Sequence, residues 1–231
     1  MLDSKYQRFY DEIVKKIKKE KIFTDKLHTL AYGTDASFYR LIPKIVIKTD
    51  NAKEVQDIIE LSNSLNLSIT FRAGGTSLSG QAISDSILVI TSRNFSNFKI
   101  APDASYISLQ PALTGAQVNG LLARYSKKIG PDPASINAAM IGGIAANNAS
   151  GMCCGISQNS YKTLKSMKLI FADGAKLDTG CSESKDAFRK SHGDFLNDLK
   201  SFSQDTKNNE PLRAKIERKF KIKNTCGYSI N

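Results

Sequence analysis

The chain has 231 residues, 41% hydrophobic and 24% charged, the balance of a folded protein with one sizeable core or two small ones. No apolar run approaches the roughly 20 residues that cross a bilayer, and the start, MLDSKYQRFYDEIVKK, lacks the apolar segment of a signal peptide, so a cytoplasmic location is expected. The formal charge of +11 raises nucleic acid as a partner, but the basic residues bunch at Lys15–Lys21 and Arg213–Lys223 and leave the central loops almost bare of Lys and Arg, so no nucleic-acid contact is expected.

The first 30 residues are expected to be helical. Phe9, Ile13 and Ile17 recur at i, i+4 and i+8, which makes Lys15, Lys16, Lys18, Lys19 and Lys21 the solvated side of a packed helix. AYGTDASF then reads as loop. Pro43–Thr49 is a β-branched strand, Asp50 or Asn51 can cap the helix that follows, and Val55, Ile58, Ile59 and Leu65 fall on one face of that helix. With a strand at Ser68–Arg72 this makes a βαβ unit. Further strands are expected at Ser86–Thr91 and Tyr106–Gln110, and a helix at Thr114–Tyr125. Strands at Lys165–Ala172 and Lys176–Asp178 flank a turn at Asp173-Gly174, and Ser184 to about Lys221 is polar and helical. No repeat or low-complexity linker interrupts this order, so the fold class is α+β in two packed subdomains.

Two glycine-rich stretches stand out. The first, TFRAGGTSLSGQAISD, follows a strand and runs almost without bulky side chains. Backbone N–H groups can hold an anion where no Cβ blocks its approach and the chain can take positive φ, which is what Gly74, Gly75 and Gly80 supply, with the Thr76 and Ser77 hydroxyls as further donors. The G-x-x-x-x-G spacing of a P-loop is present, but Gln81-Ala82 stands where Lys-Ser/Thr must reach phosphate and magnesium, and G-x-G-x-x-G is not matched. An anion cradle and a tight structural turn both fit. The second stretch, GPDPASINAAMIGGIAANNASGMCCG (130–155), is small enough for a flat or phosphate-bearing group to lie along it, with Ser135, Asn147 and Asn148 at hand for polar edges. Close packing of an Ala/Gly helix fits equally.

Cys153, Cys154, Cys181 and Cys226 form no C-x-x-C pair and have only His28 and His192 beside them, so no metal site is expected. Cys153-Cys154 reads as small packing residues rather than a redox pair, and both histidines read as surface residues.

These stretches, with LAYGTDASFYRLIP (30–43) ahead and NTCGYSIN (224–231) behind, resemble the FAD-binding domain of the vanillyl-alcohol oxidase and p-cresol methylhydroxylase superfamily. Within it the chain is similar to D-lactate dehydrogenases with a fused iron–sulfur domain. The resemblance implies an N-terminal helical segment over residues 1–40, then a FAD-binding domain over 41–231 with subdomains of about 41–105 and 106–231. It implies that Arg72, Ala73, Gly74, Gly75, Thr76, Ser77, Gly80 and Gln81 wrap the FAD pyrophosphate. Pro131, Asp132, Ser135, Ile141, Gly142, Gly143, Asn147, Gly151 and Gly155 then lie along the rest of the cofactor. Relatives that attach flavin covalently through the first loop carry histidine where Thr76 stands, so FAD is expected to be held without a covalent bond. Many relatives have three glycines where this chain has Ala73-Gly74-Gly75, a change that leaves the amides free.

The family's later GSEGTLG-like segment, substrate cap and cysteine-rich iron–sulfur motifs do not occur in these 231 residues, so an N-terminal piece of a longer enzyme is expected, with any iron–sulfur cluster in its C-terminal region. That enzyme is expected to oxidise a D-2-hydroxy acid, D-lactate first, by hydride transfer to flavin N5, and to pass electrons to an acceptor. The resemblance also admits peripheral association with the inner membrane. Its base and carboxylate-gripping arginine come largely from the cap, so no catalytic residue is assigned. The competing readings are a nucleotide-binding module without flavin chemistry and a basic nucleic-acid-binding domain.

Overall fold

The computed structural model describes residues 2–222. Helix α1 (Ser4–Ile13) starts at Asp3, whose carboxylate accepts from the amides of Lys5 and Tyr6. The chain then passes through a short 3-10 turn into strand β1 (Ile22–Phe23) and helix α2 (Lys26–Ala31). Strand β2 (Ile45–Thr49), helix α3 (Ala52–Leu65) and strand β3 (Ile69–Arg72) follow as expected from their β-branched runs, and Asn51 caps α3 by accepting from Glu54 N at 3.0 Å. Strand β4 (Ile87–Thr91), the hairpin of β5 (Phe98–Ile100) and β6 (Ile107–Leu109), and helix α4 (Gly115–Ala123) complete this run.

The first sheet has the order β1-β2-β4-β3. β2 and β3 are therefore not neighbours: the α3 crossover leaves a slot that β4 fills, pairing parallel to both, with Ile47 and Phe71 opposite Val89. Alternate residues point to opposite faces. Ile45, Ile47, Ile87 and Val89 meet Phe9, Ile13, Ile17, Ile22 and Ile58 in one core, while Val46, Leu88 and Ile90 form a smaller cluster with Phe23 and Tyr32 against it. A central strand covered on both faces explains the unbroken apolar run ILVI in β4.

The N-terminal stripe holds, although α1 ends at Ile13; Ile17 stays buried because its amide still reaches Ile13 O at 2.9 Å. The lysine run differs from the expected solvated face. Lys21 is largely buried and bridges Asp50 (2.9 Å) and Glu54 (2.5 Å), and Lys16 meets the buried Asp57 carboxylate at 2.9 Å, with Lys53 on the same oxygen at 2.8 Å. These ion pairs tie the N-terminal segment to the turn before α3 and to α3 itself.

The chain divides into two compact units. The first runs to Lys128 and includes Ser135–Ile144 and Ala172–Gly174; the second comprises Ile129–Ala134, Ala145–Phe171 and the chain from Ala175. The N-terminal helix thus belongs to the first unit, whose core Phe9 and Ile13 help to build, and the boundary expected near residue 105 falls inside it. Local ties explain this: Ala112 N bonds Phe95 O at 3.0 Å and Lys127 Nζ bonds Ala104 O at 2.9 Å.

Helix α5 (Ile141–Ala146) is the short helical part of the 130–155 stretch. The second unit holds helix α6 (Ser160–Thr163), strands β7 (Lys168–Ile170) and β8 (Lys176–Asp178), and helices α7 (Ser182–Ser191), α8 (Gly193–Asn208) and α9 (Glu210–Phe220). Gly174 takes φ +87° at the expected turn. Phe188 is buried and packs on Phe171, with ring centroids 4.7 Å apart. The stretch NTCGYSIN, with Cys226, lies outside the described residues. Among the described residues no helix is long and apolar enough to cross a membrane.

Candidate cofactor site

Strand β3 delivers the chain into the first glycine-rich loop at the carboxyl end of the parallel strands β2, β4 and β3, where open α/β sheets place their ligands. Among the described residues, the amides of Gly74, Gly75, Thr76, Ser77 and Leu78 have no hydrogen-bond partner, and neither does the Thr76 hydroxyl. Gly75 and Gly80 take φ +64° and +71°, the left-handed region that glycine enters without strain. The result is a run of unspent donors on a chain free of Cβ atoms where it bends.

The loop is also held from behind. Arg72 is half-buried; its Nη1 donates to Thr34 O at 2.7 Å and Tyr32 O at 3.3 Å, and its guanidinium sits where a Cβ on Gly75 would come within 2.6 Å. Burial lowers its pKa below the ordinary value while Asp35 acts the other way. Arg72 is therefore spent on the protein. Ser77 is spent likewise, its hydroxyl accepting from the amides of Ser79 and Gln81 and donating to Gln81 Oε1, each at 3.2 Å. Ala73 and Gly80 supply space: Gly80 lies against the Tyr39 ring.

Within the first unit the structure brings this loop against part of the second stretch. A Cβ on Gly74 would stand 2.3 Å from Ala138 O, and one on Gly143 would meet Ala73 Cβ at 3.6 Å. Ser135 O accepts from the amides of Ala138 and Ala139 at 2.8 and 2.7 Å and so shapes the turn that reaches Gly74. Ile141 and Gly142 have committed their amides to Leu113 O (2.8 Å) and Pro111 O (3.0 Å).

Pro131, Asp132, Asn147, Gly151 and Gly155 belong to the second unit. There Asp132 accepts from the amides of Cys153 and Cys154, each at 3.2 Å, and a Cβ on Gly151 would run into Asp132 O. Contacts from Cys154, against an opposing desolvation, and then from Cys153 hold the Asp132 carboxyl below the usual carboxylate range. Asp132 thus pins the turn that carries Gly151 and Gly155, the latter at φ +52°. Pro131 is buried, Asn147 is exposed, and Asn148 accepts from Tyr161 N at 3.0 Å, which makes it a brace. Cys154 is buried, with its thiol receiving the Gly151 amide at 3.0 Å, whereas Cys153 is exposed.

The two histidines are engaged elsewhere. His28 Nδ1 pairs with Asp25 at 2.8 Å and its ring stacks on Phe23; His192 stacks on Phe188 with centroids 4.1 Å apart. Asp35 is the residue that sequence reasoning missed. Its carboxylate accepts from Ser37 N (2.8 Å), Ser37 Oγ (2.5 Å) and Ala82 N (3.2 Å). Burial alone would raise its pKa, but these bonds and the nearby Arg72 outweigh burial and hold it below the usual range. The Asp-x-Ser spacing of a local side-chain turn was the signal available for it.

Unspent amides on a glycine loop at the carboxyl end of parallel strands are the kind of donors that an anionic group such as a phosphate can meet. A family model described as FAD binding domain matches residues 43–180, and the chain belongs to that family. It is 26% identical over 172 residues to D-2-hydroxyglutarate dehydrogenase of Haemophilus influenzae, covering 71% of this chain and 16% of that protein. It is also 26% identical over 141 residues to D-lactate dehydrogenase of Archaeoglobus fulgidus, covering 59% of this chain and 31% of that one. The chain thus spans less than a third of the length of either relative. Among solved structures, p-cresol methylhydroxylase with substrate bound superposes with a TM-score of 0.66 over 80% of this chain and 38% of its own, at 14% identity. The fold is of the p-cresol methylhydroxylase type, and the α+β class expected from the sequence is correct.

Proposed function

We propose that this chain is the FAD-holding part of a flavin-dependent dehydrogenase that oxidises a D-2-hydroxy acid, with D-lactate and D-2-hydroxyglutarate as the first substrates to test. The observation that carries the reading is the unspent amide run at Gly74–Leu78, framed by positive φ at Gly75 and Gly80. The residues present fit FAD: the amides and the Thr76 hydroxyl offer donors to pyrophosphate oxygens, Gly74 lets the second stretch close on the loop at Ala138, and Ala73 and Gly143 add little bulk beside it. FAD supplies a two-electron acceptor for the hydride of the substrate α-carbon. The chain's own residues bind and orient that group, and Thr76 provides no nucleophile of the kind that links flavin covalently. The names of the two relatives support the hydroxy-acid class.

The test uses protein purified from its native cells. D-Lactate or D-2-hydroxyglutarate added without oxygen should bleach the flavin absorbance, and L-lactate should not. Bleaching by L-lactate at the same rate, or by neither D-acid, would overturn the substrate class.

A further inference from the structure

The segment Tyr32–Arg40 contains no glycine-rich motif, yet it touches the first glycine-rich loop along its length. At the loop's entry, Arg72 Nη1 reaches the carbonyls of Tyr32 and Thr34 and the guanidinium stands 5.9 Å from the Tyr32 ring centre. At its middle, Ala36 N donates to Gly75 O at 3.0 Å. At its exit, Asp35 Oδ2 accepts from Ala82 N at 3.2 Å. Tyr39 packs on Gly80 between these points. The segment closes on itself through a bridge between Thr34 and Arg40 and through Leu41 N to Gly33 O at 3.1 Å. Asp35 stands at its centre: one carboxylate oxygen is fixed by the amide and hydroxyl of Ser37, which leaves the other aimed at Ala82.

These ties use the loop's carbonyl at Gly75, its exit amide and the Arg72 side chain, and they leave the amides from Gly74 to Leu78 without a partner among the described residues. A floppy glycine loop would have to be ordered when it bound an anion, at a cost in affinity that a braced loop avoids. We propose that Asp35 is a positioning residue for the cofactor pyrophosphate, which acts without touching it: it holds the exit limb of the Arg72–Ala82 loop at Ala82 N and fixes the segment whose Tyr32 and Thr34 carbonyls hold Arg72 at the entry, so that the Gly74–Leu78 amides are preset for phosphate. This rests on reading that loop as the pyrophosphate cradle. It deepens that reading by assigning a role to a segment outside both glycine-rich stretches.

The experiment compares FAD with riboflavin, which carries the same ring but no pyrophosphate, on flavin-stripped protein prepared at full length. Asp35→Asn keeps the shape but presents an amide N–H toward Ala82 N. Its FAD dissociation constant should rise about ten- to a hundredfold, the scale of losing a hydrogen bond to a charged group. Its riboflavin affinity should stay within about twofold, and hydrogen exchange at the bonded Ser79, Gln81 and Ala82 amides of the flavin-free protein should quicken. Ser37→Ala, which removes one hydroxyl donor to the same carboxylate, should show a smaller shift in the same sense and keeps the test usable if Asp35→Asn folds poorly. Equal losses for FAD and riboflavin, or an unchanged FAD-to-riboflavin ratio in the variant that folds, would overturn the proposal while leaving the cofactor assignment standing. Failure of the unmutated protein to bind FAD would overturn both.

Discussion

Gly74→Ala probes the contact between the two glycine-rich stretches. The added Cβ would lie 2.3 Å from Ala138 O, against about 3.5 Å for an ordinary contact, so one backbone must retreat by about 1 Å. Ala138 is poorly placed to yield. Ile136 O and Ala139 O accept from Ala116 N and Gly115 N, each at 3.0 Å, and Met140 bridges Thr114, which fastens this segment to the start of α4. Inserting a methyl group at such a site costs about 1–3 kcal/mol, which for a chain of this size lowers the melting temperature by about 2–12 °C. If FAD spans both stretches, the same displacement moves amides off its phosphates, and affinity should fall about tenfold or more. Thermal melts of the flavin-free protein together with a fluorescence titration with FAD measure the two effects. A variant that melts normally and titrates like the unmutated protein would refute the reasoning.

Three further outcomes are expected. Gly143→Ala has room, since the new Cβ meets only Ala73 Cβ at 3.6 Å. The melting temperature should rise with a helix-propensity gain of about 0.5–1 kcal/mol while FAD affinity falls; unchanged affinity would remove Gly143 from the cofactor's path. Asp57 is nearly buried, and although desolvation would raise its carboxyl, bonds from Lys53 and Lys16 hold it below the ordinary value. A depressed carboxylate stabilises the fold above the unfolded pKa of about 3.9 and loses that contribution as pH falls through the lower folded value. Asp57→Asn should therefore be less stable than the unmutated protein at neutral pH and converge with it in acid; a gap that persists once Asp57 is protonated would contradict this. Finally, the 231-residue chain loaded with FAD should give only the background rate of free flavin with D-lactate and an artificial acceptor, because His28 meets Asp25 and Phe23 and His192 meets Ser191 and Phe188, residues outside both glycine-rich stretches. A D-specific rate would mean that a base lies within these residues.

Local chemistry was legible in the sequence wherever it was self-contained. The β-branched run of β2, a cap on α3 from one of the two residues the sequence offered, Asn51, the burial of Ile58 and Ile59 on α3 and the Asp173-Gly174 turn each depend on neighbours a few residues away, and each is present. Non-local choices were not legible. Strand β1 has two residues that exist as a strand only because Ile22 and Phe23 pair with Ile47 and Val46, so the segment read as more helix. The insertion of β4 between β2 and β3 is a matter of sheet order, which hydrophobic pattern does not encode. The cofactor site divides the same way. Missing side chains announce a bare loop, but whether Arg72 and Ser77 face a ligand or the protein depends on partners that only folding brings in. Asp35 joins Ala82 across 47 positions, and no spacing rule reaches that far.

FAD held without a covalent bond on the Gly74–Leu78 amides is the proposal on which the others depend. Protein purified from its native cells and precipitated with acid tests it. The supernatant should carry FAD, identified by chromatography, and Gly75→Val, which drives a branched side chain into the Arg72 guanidinium and forces it to φ +64°, should displace the loop and yield protein depleted of flavin. Protein that comes through purification without flavin and takes up none, flavin retained in the pellet, or a Gly75→Val variant with its full complement of FAD would contradict it.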